Sequence, residues 1–461
     1  MNDLTRQIAV NPEPIWQEQD LKKALGLSDN LTGQTEIYGI DIDSRRVSAG
    51  SLFVPLTPPV ASRDGHAFIP AAFAQGASAA LSSKISSDSR KVFQVSDTYA
   101  ALVQLAKAAR ARVSESSKMI AVTGSSGKTT LKTWLQHILC GVGRTHGSEG
   151  SFNNHLGVPL SLARMPAKTQ FGLFEVGTNH PGEIAPLSQM IQPDIALVLN
   201  VLPVHIGHFN TLEALKAEKL SIAAGLSPTD TLIVEAGLAT AVDRPVTTFS
   251  IQDFDTSKQH GELSEQGLIL YSGSVSVNGE WYSLSLPAPG AHLLATAAAC
   301  LAVTQVLNID SKDVIEALRT APLPAGRGHR VEKSGITIID DSYNANPESI
   351  RFSLQSLKTE PARRRHVILG EMHELGAYGV AAHDSVLAAA LEFDSVVAVG
   401  EGFRAAAEKY QVPYVESAAD IDLEAYSLGL ASGDRVLVKG SNRVFWTQGF
   451  VDQLVKRIPA P

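Results

Sequence analysis

The feature that most constrains this chain is a glycine-rich turn between an apolar run and an amphipathic run. Residues 118–130 read Lys-Met-Ile-Ala-Val-Thr-Gly-Ser-Ser-Gly-Lys-Thr-Thr. The pattern predicts a strand over 119–122, a turn over 124–127 and a helix over 129–139. Backbone N–H groups of such a turn and the positive end of the helix dipole point at one place, which favours a phosphate group. The run therefore predicts a nucleotide-binding phosphate loop.

The side chains after the turn suit a nucleoside triphosphate and its metal ion. Lys128 can reach the β- and γ-phosphates, and the hydroxyl of Thr129 can ligate Mg²⁺. Val122 departs from the usual pattern, which has a glycine there. A phosphate loop does not distinguish a kinase, a GTPase, an ATPase or a ligase, and a strand–turn–helix that binds no nucleotide is the alternative to all four.

Length and composition narrow the class of protein. At 461 residues the chain is too long for one core, and ~150 residues per domain predicts about three domains. The apolar share of 44% and the charged share of 19% are typical of a globular protein. No apolar stretch approaches the ~20 residues of a membrane-spanning helix, and the N-terminus lacks a secretion signal. We therefore expect a cytoplasmic protein that does not insert into a membrane.

Charge and cysteine content exclude other partners. The net charge of −8 argues against nucleic-acid binding, which needs a basic surface. Cys140 and Cys300 both fall in Ala/Leu-rich helical runs. They are predicted to be small buried residues in a reducing compartment, rather than a disulfide or a zinc site.

Strand and helix patterns alternate along the chain and predict an α/β protein of three domains. The polar segment 114–118 separates a domain at 1–115 from the phosphate-loop domain at 116–325, and Pro- and Gly-rich residues begin the last domain, 326–461. The predicted strands of the central domain are 172–175, 194–200, 231–234 and 246–248. Their alternation with helices predicts a doubly wound, mostly parallel sheet flanked by two smaller α/β domains.

Two details of this pattern are more specific. Around 274–286 the apolar period drops to two on both sides of Asn278-Gly279, which predicts an antiparallel hairpin. Helices are predicted over 212–226 and 291–306, and a closing helix over 443–457.

Several candidate site residues follow predicted strands, where parallel sheets bind ligands. Glu175 could ligate Mg²⁺ or could be a solvated strand end. His205 and His208 could bind a metal or lie on the surface, and the preference of Mg²⁺ for oxygen argues against a magnesium role. Lys216 and Lys219 would by default form a solvated face of the helix 212–226.

Two more polar segments lie at and beyond the second domain boundary. Arg327 lies in a basic turn, where its guanidinium could bind a phosphate or could belong to a linker. Residues 340–347 read Asp-Asp-Ser-Tyr-Asn-Ala-Asn-Pro. Helix capping explains one Asn or Asp of this run, but not the whole cluster.

Taken together, the ordered segments resemble those of the Mur ligases over nearly the whole chain. They are Thr-Gly-Ser-Ser-Gly-Lys-Thr-Thr at 123–130, Glu-Val-Gly-Thr-Asn at 175–179, Pro-Val-His at 203–205, Gly-Arg at 326–327 and Asp-Ser-Tyr-Asn-Ala-Asn-Pro at 341–347. The segments 151–159, 179–183, 369–376 and 438–441 are similar to one branch of that family. This branch joins D-alanyl-D-alanine to UDP-N-acetylmuramoyl-tripeptide.

The resemblance implies that ATP and two Mg²⁺ ions bind the central domain. The residues that it implies for ATP are Gly124, Ser125, Ser126, Gly127, Lys128, Thr129 and Thr130, with Arg327 and Asp341 from the last domain. Those that it implies for the metal are Thr129, Glu175, His205 and Lys219, where Lys219 carries a carbamate made from CO₂. The catalytic residues that it implies are Lys128, Lys219, His205 and Arg327.

The resemblance also implies where the other substrates bind. Ser44 and Arg45 in the first domain belong to the segment that would bind the UDP end of UDP-N-acetylmuramoyl-tripeptide. Asn153 and Asn154 would also contact substrate. Asn344 and Asn346 would meet D-alanyl-D-alanine or the nucleotide, after the last domain closes. We expect a monomer.

Other functions stay open at this point. A phosphate-loop kinase would release a phosphorylated product, and a nucleotide switch would not turn over. A sister ligase would add a single amino acid, such as a diamino acid, or would extend folate with glutamate.

The sequence departs from the family's motif at one place. The family's Gly-x-His-Asn-x-x-Asn is here Gly290-Ala-His292-Leu293, with Thr296 in the second Asn position. The contact to adenine is therefore open to the backbone or to Thr296.

Overall fold

The strands of the chain form four sheets in the computed structural model, which describes residues 13–27, 34–85, 91–202, 209, 211–251, 261–263 and 269–459. The strands are β1 Trp16–Gln17, β2 Glu36–Ile37, β3 Gly39–Asp41, β4 Ser51–Phe53, β5 Ala79–Ser82, β6 Val92–Gln94, β7 Lys118–Thr123, β8 Thr145–Gly147, β9 Phe171–Glu175, β10 Ile195–Val198, β11 Thr231–Glu235, β12 Val246–Ile251, β13 Gly261–Leu263, β14 Ile269–Val277, β15 Glu280–Leu286, β16 His329–Lys333, β17 Ile336–Asp341, β18 Arg365–Gly370, β19 Ser395–Val399, β20 Tyr414–Val415 and β21 Arg435–Lys439. The α-helices are Glu18–Ala24, Ile69–Ala74, Thr98–Arg112, Lys128–Cys140, Gly157–Ala163, Ile184–Ile191, Leu212–Leu220, Ala291–Val306, Ser311–Leu318, Pro347–Thr359, Gly379–Ala390, Arg404–Tyr410, Leu423–Leu428 and Phe450–Arg457.

The largest sheet carries the phosphate loop at its centre. Its strand order is β13-β14-β12-β11-β10-β7-β9-β8, with β15 paired to β14. The pairs from β8 to β12 are parallel, and β12 to β15 pair antiparallel. The predicted fold class and hairpin are thus confirmed. The chain leaves β7 toward β8 and β9 on one side and toward β10 and β11 on the other, so the phosphate loop lies where a doubly wound sheet binds ligands.

Both faces of the parallel part of this sheet are buried, which explains why its central strands are apolar at successive positions. In β7, Ile120 and Val122 belong to one hydrophobic core with the helices Lys128–Cys140 and Ala291–Val306. Met119 and Ala121 belong to the core on the opposite face. Alternate side chains of one strand therefore stabilise two helix layers.

The last domain is a second α/β unit with the strand order β16-β17-β21-β18-β19-β20. The edge strand β16 is antiparallel to β17, and the other pairs are parallel. Its two cores consist of residues from 336–458. The carboxyl end of β17 carries Asp341 toward the central domain's cleft.

The first domain has a four-stranded parallel sheet, β3-β4-β5-β6, and shares its core with the central domain. The helix Thr98–Arg112 contributes Leu102 and Leu105 to the first domain's core but Ala106 to a core of the central domain. Trp16 donates from Nε1 to the carbonyl of Ala163 at 2.8 Å. The two domains are therefore packed as one unit.

Three predictions of local structure are wrong in part. The closing helix begins at Phe450 rather than at 443, because Gly449 has φ 62° and a left-handed residue interrupts a helix. The helix that begins at Leu212 ends at Leu220 and continues as a 3₁₀ turn. Cys300 is buried as predicted, whereas Cys140 is exposed at its helix end.

In the described parts of the chain, every helix is too short or too polar to cross a bilayer.

Candidate active site

Gly127 sets the conformation of the phosphate loop. It is the residue before the helix Lys128–Cys140 and has φ 82°. A Cβ atom there would lie 2.9 Å from Cδ2 of Leu199, so glycine suits both the backbone and the space. The helix start has no side-chain cap. The first N–H groups of the helix are therefore available to an anion.

Asn200 holds the loop from the neighbouring strand and was missed by the sequence analysis. Its Oδ1 accepts from the backbone N–H groups of Ser125 at 2.9 Å and Ser126 at 3.0 Å. Its Nδ2 donates to the carbonyl of Ser126 at 3.1 Å. The sequence shows that Asn200 is a polar residue after strand β10. It does not show that β10 lies beside β7, and the contact of Asn200 with the phosphate loop depends on that neighbourhood.

Lys128 lies over the loop that precedes it. Its Nζ donates to the carbonyl of Gly124 at 2.6 Å. Burial lowers the pKa of Lys128 to about 8, while the Glu175 carboxylate acts in the opposite direction. The ammonium group of Lys128 therefore lies at the phosphate loop, where it can contact the phosphates of a bound nucleotide.

A buried cluster surrounds Glu175 at the carboxyl end of β9. Glu175 is fully buried, and its Oε2 accepts from the hydroxyl of Thr129 at 3.3 Å. Nζ of Lys132 lies 3.2 Å from its Oε1. The Thr129 hydroxyl is also 3.3 Å from Oγ of Ser151. The solvated alternative for Glu175 is therefore wrong, and two hard oxygen donors lie side by side below the phosphate loop.

Arg327 reaches this cluster from the last domain. Its Nη2 donates to Oγ of Ser151 at 3.1 Å. Its guanidinium lies 4.3 Å from the ring centre of Tyr343, which packs edge-on against Trp446 at 5.4 Å. The preceding Gly326 has φ 71°, and a Cβ there would meet the Trp446 ring at 2.6 Å. Arg327 is thus held by its neighbours rather than lying in a free linker.

The polar run after β17 lines the same space. Asp341 accepts from Nζ of Lys439 at 2.7 Å and from the hydroxyl of Ser353. The side chain of Asn344 accepts from the N–H of Ala345 at 2.9 Å. Asn346 caps the helix Pro347–Thr359 in a reciprocal capping box. Capping accounts for Asn346, and the remaining polar groups border the cleft.

These elements enclose a cleft of about 790 Å³ between the central and last domains. The predicted site residues that line it are Ser125, Ser126, Gly127, Lys128, Thr129, Thr130, Asn153, Glu175, Arg327, Asp341, Asn344 and Asn346. The fold therefore brings together residues that the chain separates by about two hundred positions (341 − 128 = 213).

One end of the cleft is aromatic and apolar. The rings of His292 and Phe352 stack with centres 5.5 Å apart and planes 21° apart. Burial lowers the pKa of His292 to about 4, so the ring is neutral near pH 7. Thr296 is 1% exposed and donates to the carbonyl of His292 at 2.8 Å, which directs its hydroxyl to the backbone rather than to a ligand.

Other predicted residues lie outside the lining of the cleft. Arg45 has an 86% exposed side chain and pairs with Asp43 at 2.6 Å in the first domain, next to Ser44. The side chain of Asn154 accepts from the N–H groups of Leu156 and Gly157 at the start of a helix, and its substrate role stays a prediction. Gly124 is covered by the Lys128 ammonium.

Lys219 is buried, at 2% exposure, so the default expectation of a solvated lysine is wrong. Burial lowers the pKa of Lys219 to about 7, and the positive charge of Lys128 lowers it further. The neighbouring Glu218 accepts from the N–H groups of Gly182 at 2.7 Å and Ile184 at 2.9 Å. The amine of Lys219 is therefore buried within the electrostatic reach of Lys128, while the adjacent Glu218 carboxylate is engaged by two backbone N–H groups.

The predicted metal role of the two histidines after β10 concerns residues outside the described part of the chain. His205 and His208 lie outside the described residues. Within the described ranges, no three His, Cys, Asp or Glu side chains group closely enough to form a metal centre by themselves. Mg²⁺ commonly uses one or two carboxylates together with water and phosphate oxygens, so the Thr129–Glu175 pair fits this ion.

Comparisons with known proteins agree with this geometry. Residues 122–304 match the family model of the Mur ligase middle domain, and 326–442 match that of the Mur ligase, glutamate ligase domain. A UDP-N-acetylmuramoyl-tripeptide–D-alanyl-D-alanine ligase of Synechocystis is 31% identical over 90% of this chain and 91% of its own length. The enzyme of the same name from Rickettsia prowazekii is 30% identical over 81% of this chain and 84% of its own length.

Solved structures show the same three-domain fold. The crystal structure of MurF from Acinetobacter baumannii superposes with a TM-score of 0.80 at 27% identity, covering 96% of this chain and all of that one. MurF from Thermotoga maritima in complex with ADP has a TM-score of 0.74 at 24% identity and covers 91% of this chain and 97% of that one. Together with the phosphate loop, the buried carboxylate and the arginine from the last domain, these likenesses lead to one conclusion. The chain belongs to the Mur ligase family.

Proposed function

We propose that this chain joins D-alanyl-D-alanine to UDP-N-acetylmuramoyl-tripeptide in an ATP-dependent reaction of peptidoglycan precursor synthesis. The relatives named for this reaction match along 81–90% of the chain at 30–31% identity. The observation that carries the chemistry is the cleft in which Lys128 and Glu175 of one domain face Arg327 and Asp341 of another. A ligase needs such a composite site, because it must hold a triphosphate, a carboxylate and an amine together.

The chain's cationic groups fit the charges that this reaction develops. A carboxylate is a poor electrophile, and phosphorylation of the tripeptide's terminal carboxylate supplies a leaving group. Attack by the dipeptide amine on the acyl phosphate then forms the amide and releases phosphate. Lys128 and Arg327 are placed to offset the negative charge of the phosphoryl group as it is transferred and as it departs. Asp341, fixed by Lys439, is proposed to bind the ribose of ATP.

We also propose that magnesium is held at Thr129 and Glu175, with Lys219 and His205 completing a two-ion site. When bound, Mg²⁺ would neutralise phosphate oxygens and polarise them. Glu175 and Thr129 supply adjacent oxygen atoms of the kind that this ion prefers. Lys219 would have to become a carboxylate to join them, and reaction of its neutral amine with CO₂ gives that group. Its burial, which favours the neutral amine, supports this modification.

We propose that the first domain binds the UDP end of the substrate through Ser44 and Arg45. In the Arg45→Ala variant, KM for the UDP-linked substrate should rise about tenfold, because a charge-assisted hydrogen bond to a phosphate is lost. KM for ATP should not change, since Arg45 lies outside the nucleotide cleft. Steady-state kinetics with each substrate varied in turn would measure both. Lys107→Ala is a suitable control, because Lys107 is an exposed cation of the same domain. An equal rise in both variants would contradict a specific role for Arg45.

The reaction itself gives a direct test of the proposed function. The full chain would receive ATP, Mg²⁺ and UDP-N-acetylmuramoyl-tripeptide, with D-alanyl-D-alanine, D-alanine, a diamino acid or glutamate in separate samples. We expect phosphate release only with the dipeptide, because a site that pairs with the dipeptide's groups leaves its own polar groups unpaired with a shorter substrate. Asn153 and Asn344 line the cleft where such pairing is proposed.

Mass spectrometry and phosphate assay separate the outcomes. The expected product has the mass of tripeptide plus dipeptide minus one water, with equal amounts of ADP and phosphate. A phosphorylated product without an amide would support the kinase alternative. Turnover with the diamino acid or glutamate would assign the chain to a sister ligase. ATP binding without turnover in any sample would favour a nucleotide switch.

A further inference from the structure

Lys132 is a buried lysine that the proposed mechanism does not use. It lies in the helix that follows the phosphate loop and is 4% exposed. Its Nζ donates to the carbonyls of Ser148 and Gly150 and lies 3.2 Å from Oε1 of Glu175. Lysine is seldom buried unless it is paired, because its charge loses hydration. Packing alone does not account for Lys132, because its charge compensates the buried carboxylate of Glu175, which an apolar side chain would leave unpaired.

The partners of Lys132 belong to two parts of the proposed site. Glu175 is contacted at both oxygens, through an ion pair with Lys132 at Oε1 and a hydrogen bond from the Thr129 hydroxyl at Oε2. The Oε1 atom accepts no hydrogen bond from the described residues, so the ammonium acts on it through its charge. Both contacts favour this orientation of the carboxylate. The second partner is the segment 148–150, which leads directly to Ser151.

Ser151 connects this segment to the last domain. Its Oγ accepts from Nη2 of Arg327 at 3.1 Å and lies 3.3 Å from the Thr129 hydroxyl. One ammonium group therefore touches both the proposed metal ligand and the loop on which Arg327 rests.

We propose that Lys132 is a positioning residue, which holds Glu175 and the loop 148–151 in the geometry that binds the metal–nucleotide complex. This inference rests on the proposed function, because it assumes that Mg²⁺ binds beside Thr129 and Glu175. Lys132 touches neither substrate nor metal in this role. It acts through the orientation of Glu175 and through the two carbonyls that anchor the loop. Groups that orient a metal ligand commonly change metal affinity by ~10–100-fold.

Calorimetric titration of the full-length protein with ADP, in the presence and absence of Mg²⁺, tests this role without relying on turnover. The quantity compared is the Mg²⁺ ratio, which is the affinity for ADP with Mg²⁺ divided by the affinity for ADP without Mg²⁺. In Lys132→Met, the ratio should fall at least about tenfold relative to the wild-type protein. The affinity for ADP without Mg²⁺ should change much less, because the phosphate loop remains intact.

Lys22→Met is a matched control from the same chain. Lys22 is a buried lysine of the first domain, with Nζ 2.8 Å from Oε1 of Glu18 and a side chain 5% exposed, as in Lys132. Loss of either buried ion pair should lower the melting temperature. Only the Lys132 variant should change the ratio, so an equal change in both variants would overturn the positioning role.

Two other results would also decide the matter. If Lys132→Met shows the wild-type ratio, Lys132 is a structural residue only and the inference is wrong. If the wild-type protein itself shows no effect of Mg²⁺, the proposed metal site fails, and the inference fails with it. Should Lys132→Met not fold, Lys132→Gln would serve instead, since it keeps a polar side chain but lacks the charge. The same loss of the ratio is then expected, and a wild-type ratio in that variant would overturn the inference.

Discussion

Replacing Arg327 by alanine is expected to lower kcat by about 10³-fold while leaving the affinity for ATP within a few-fold of the wild-type value. The reason is that its guanidinium is positioned by Tyr343 and Ser151 in the cleft of the phosphate loop. In the proposed reaction it would meet the charge that grows during phosphoryl transfer there. Arginines that act in this way contribute ~10³–10⁵ to kcat in other phosphoryl-transfer enzymes. Steady-state kinetics and nucleotide titration would measure the two quantities.

Two further variants sharpen this test. Arg327→Lys keeps the charge but loses the planar fork, so it should recover only part of the lost rate. Arg319→Ala is the control, because Arg319 is a partly exposed arginine that pairs with Glu316 on the surface. A loss in ATP affinity as large as the loss in kcat would show that Arg327 binds the ground state rather than the transition state.

Replacing Lys219 by alanine is expected to reduce turnover by at least about 10²-fold with little loss of fold, because the substitution removes one of the ligands proposed for the metal–phosphate site. The control is Lys216→Ala, which removes a more exposed lysine of the same helix. A short carboxylate such as acetate should restore part of the activity of Lys219→Ala, since it can enter the space left by the carbamate. Near-normal turnover of Lys219→Ala in CO₂-depleted buffer would contradict the carbamate.

The same proposal predicts a pH dependence. The pKa of Lys219 is lowered to about 7, so the amine is mostly neutral at pH 8 and mostly protonated at pH 6. Only the neutral amine reacts with CO₂, and protonation therefore competes with the carbamate as the pH falls through 7. Lowering CO₂ to the same low level should consequently slow the wild-type enzyme by a larger factor at pH 6 than at pH 8, because a mostly protonated amine needs more CO₂ to stay carbamylated. Turnover assays with and without bicarbonate at both pH values would show this difference.

Much of the fold follows from short-range patterns. The phosphate loop, the hairpin around Asn278-Gly279 and the helix Ala291–Val306 were predicted because each has its own periodicity or turn residues. The closing helix was predicted too long because its apolar pattern continues through Gly449, whose left-handed backbone ends it. The exposure of Cys140 depends on where its helix ends relative to the sheet, which composition does not indicate.

The site residues that lie within recognisable sequence motifs could be predicted. Lys128, Glu175, Arg327 and Asp341 could be named in advance, and the structure brings all four to one cleft. Asn200 and Lys132 could not, because their roles depend on which strands are neighbours in the sheet. The burial of Lys219 was also hidden, since its helix has only a weak apolar face and spacing alone favours a solvated lysine.

The core shared by the first two domains has a consequence for how the molecule can change. Leu160 and Ala163 of the central domain pack within the hydrophobic core of the first domain. The helix Thr98–Arg112 in turn places residues in cores on both sides of the domain boundary. Residues 1–115 could not simply be exchanged for another module, because the exchanged piece would have to reproduce this packing face. The four sheets therefore belong to two packed units, one formed by the first two domains around a shared core and one formed by the last domain with cores of its own.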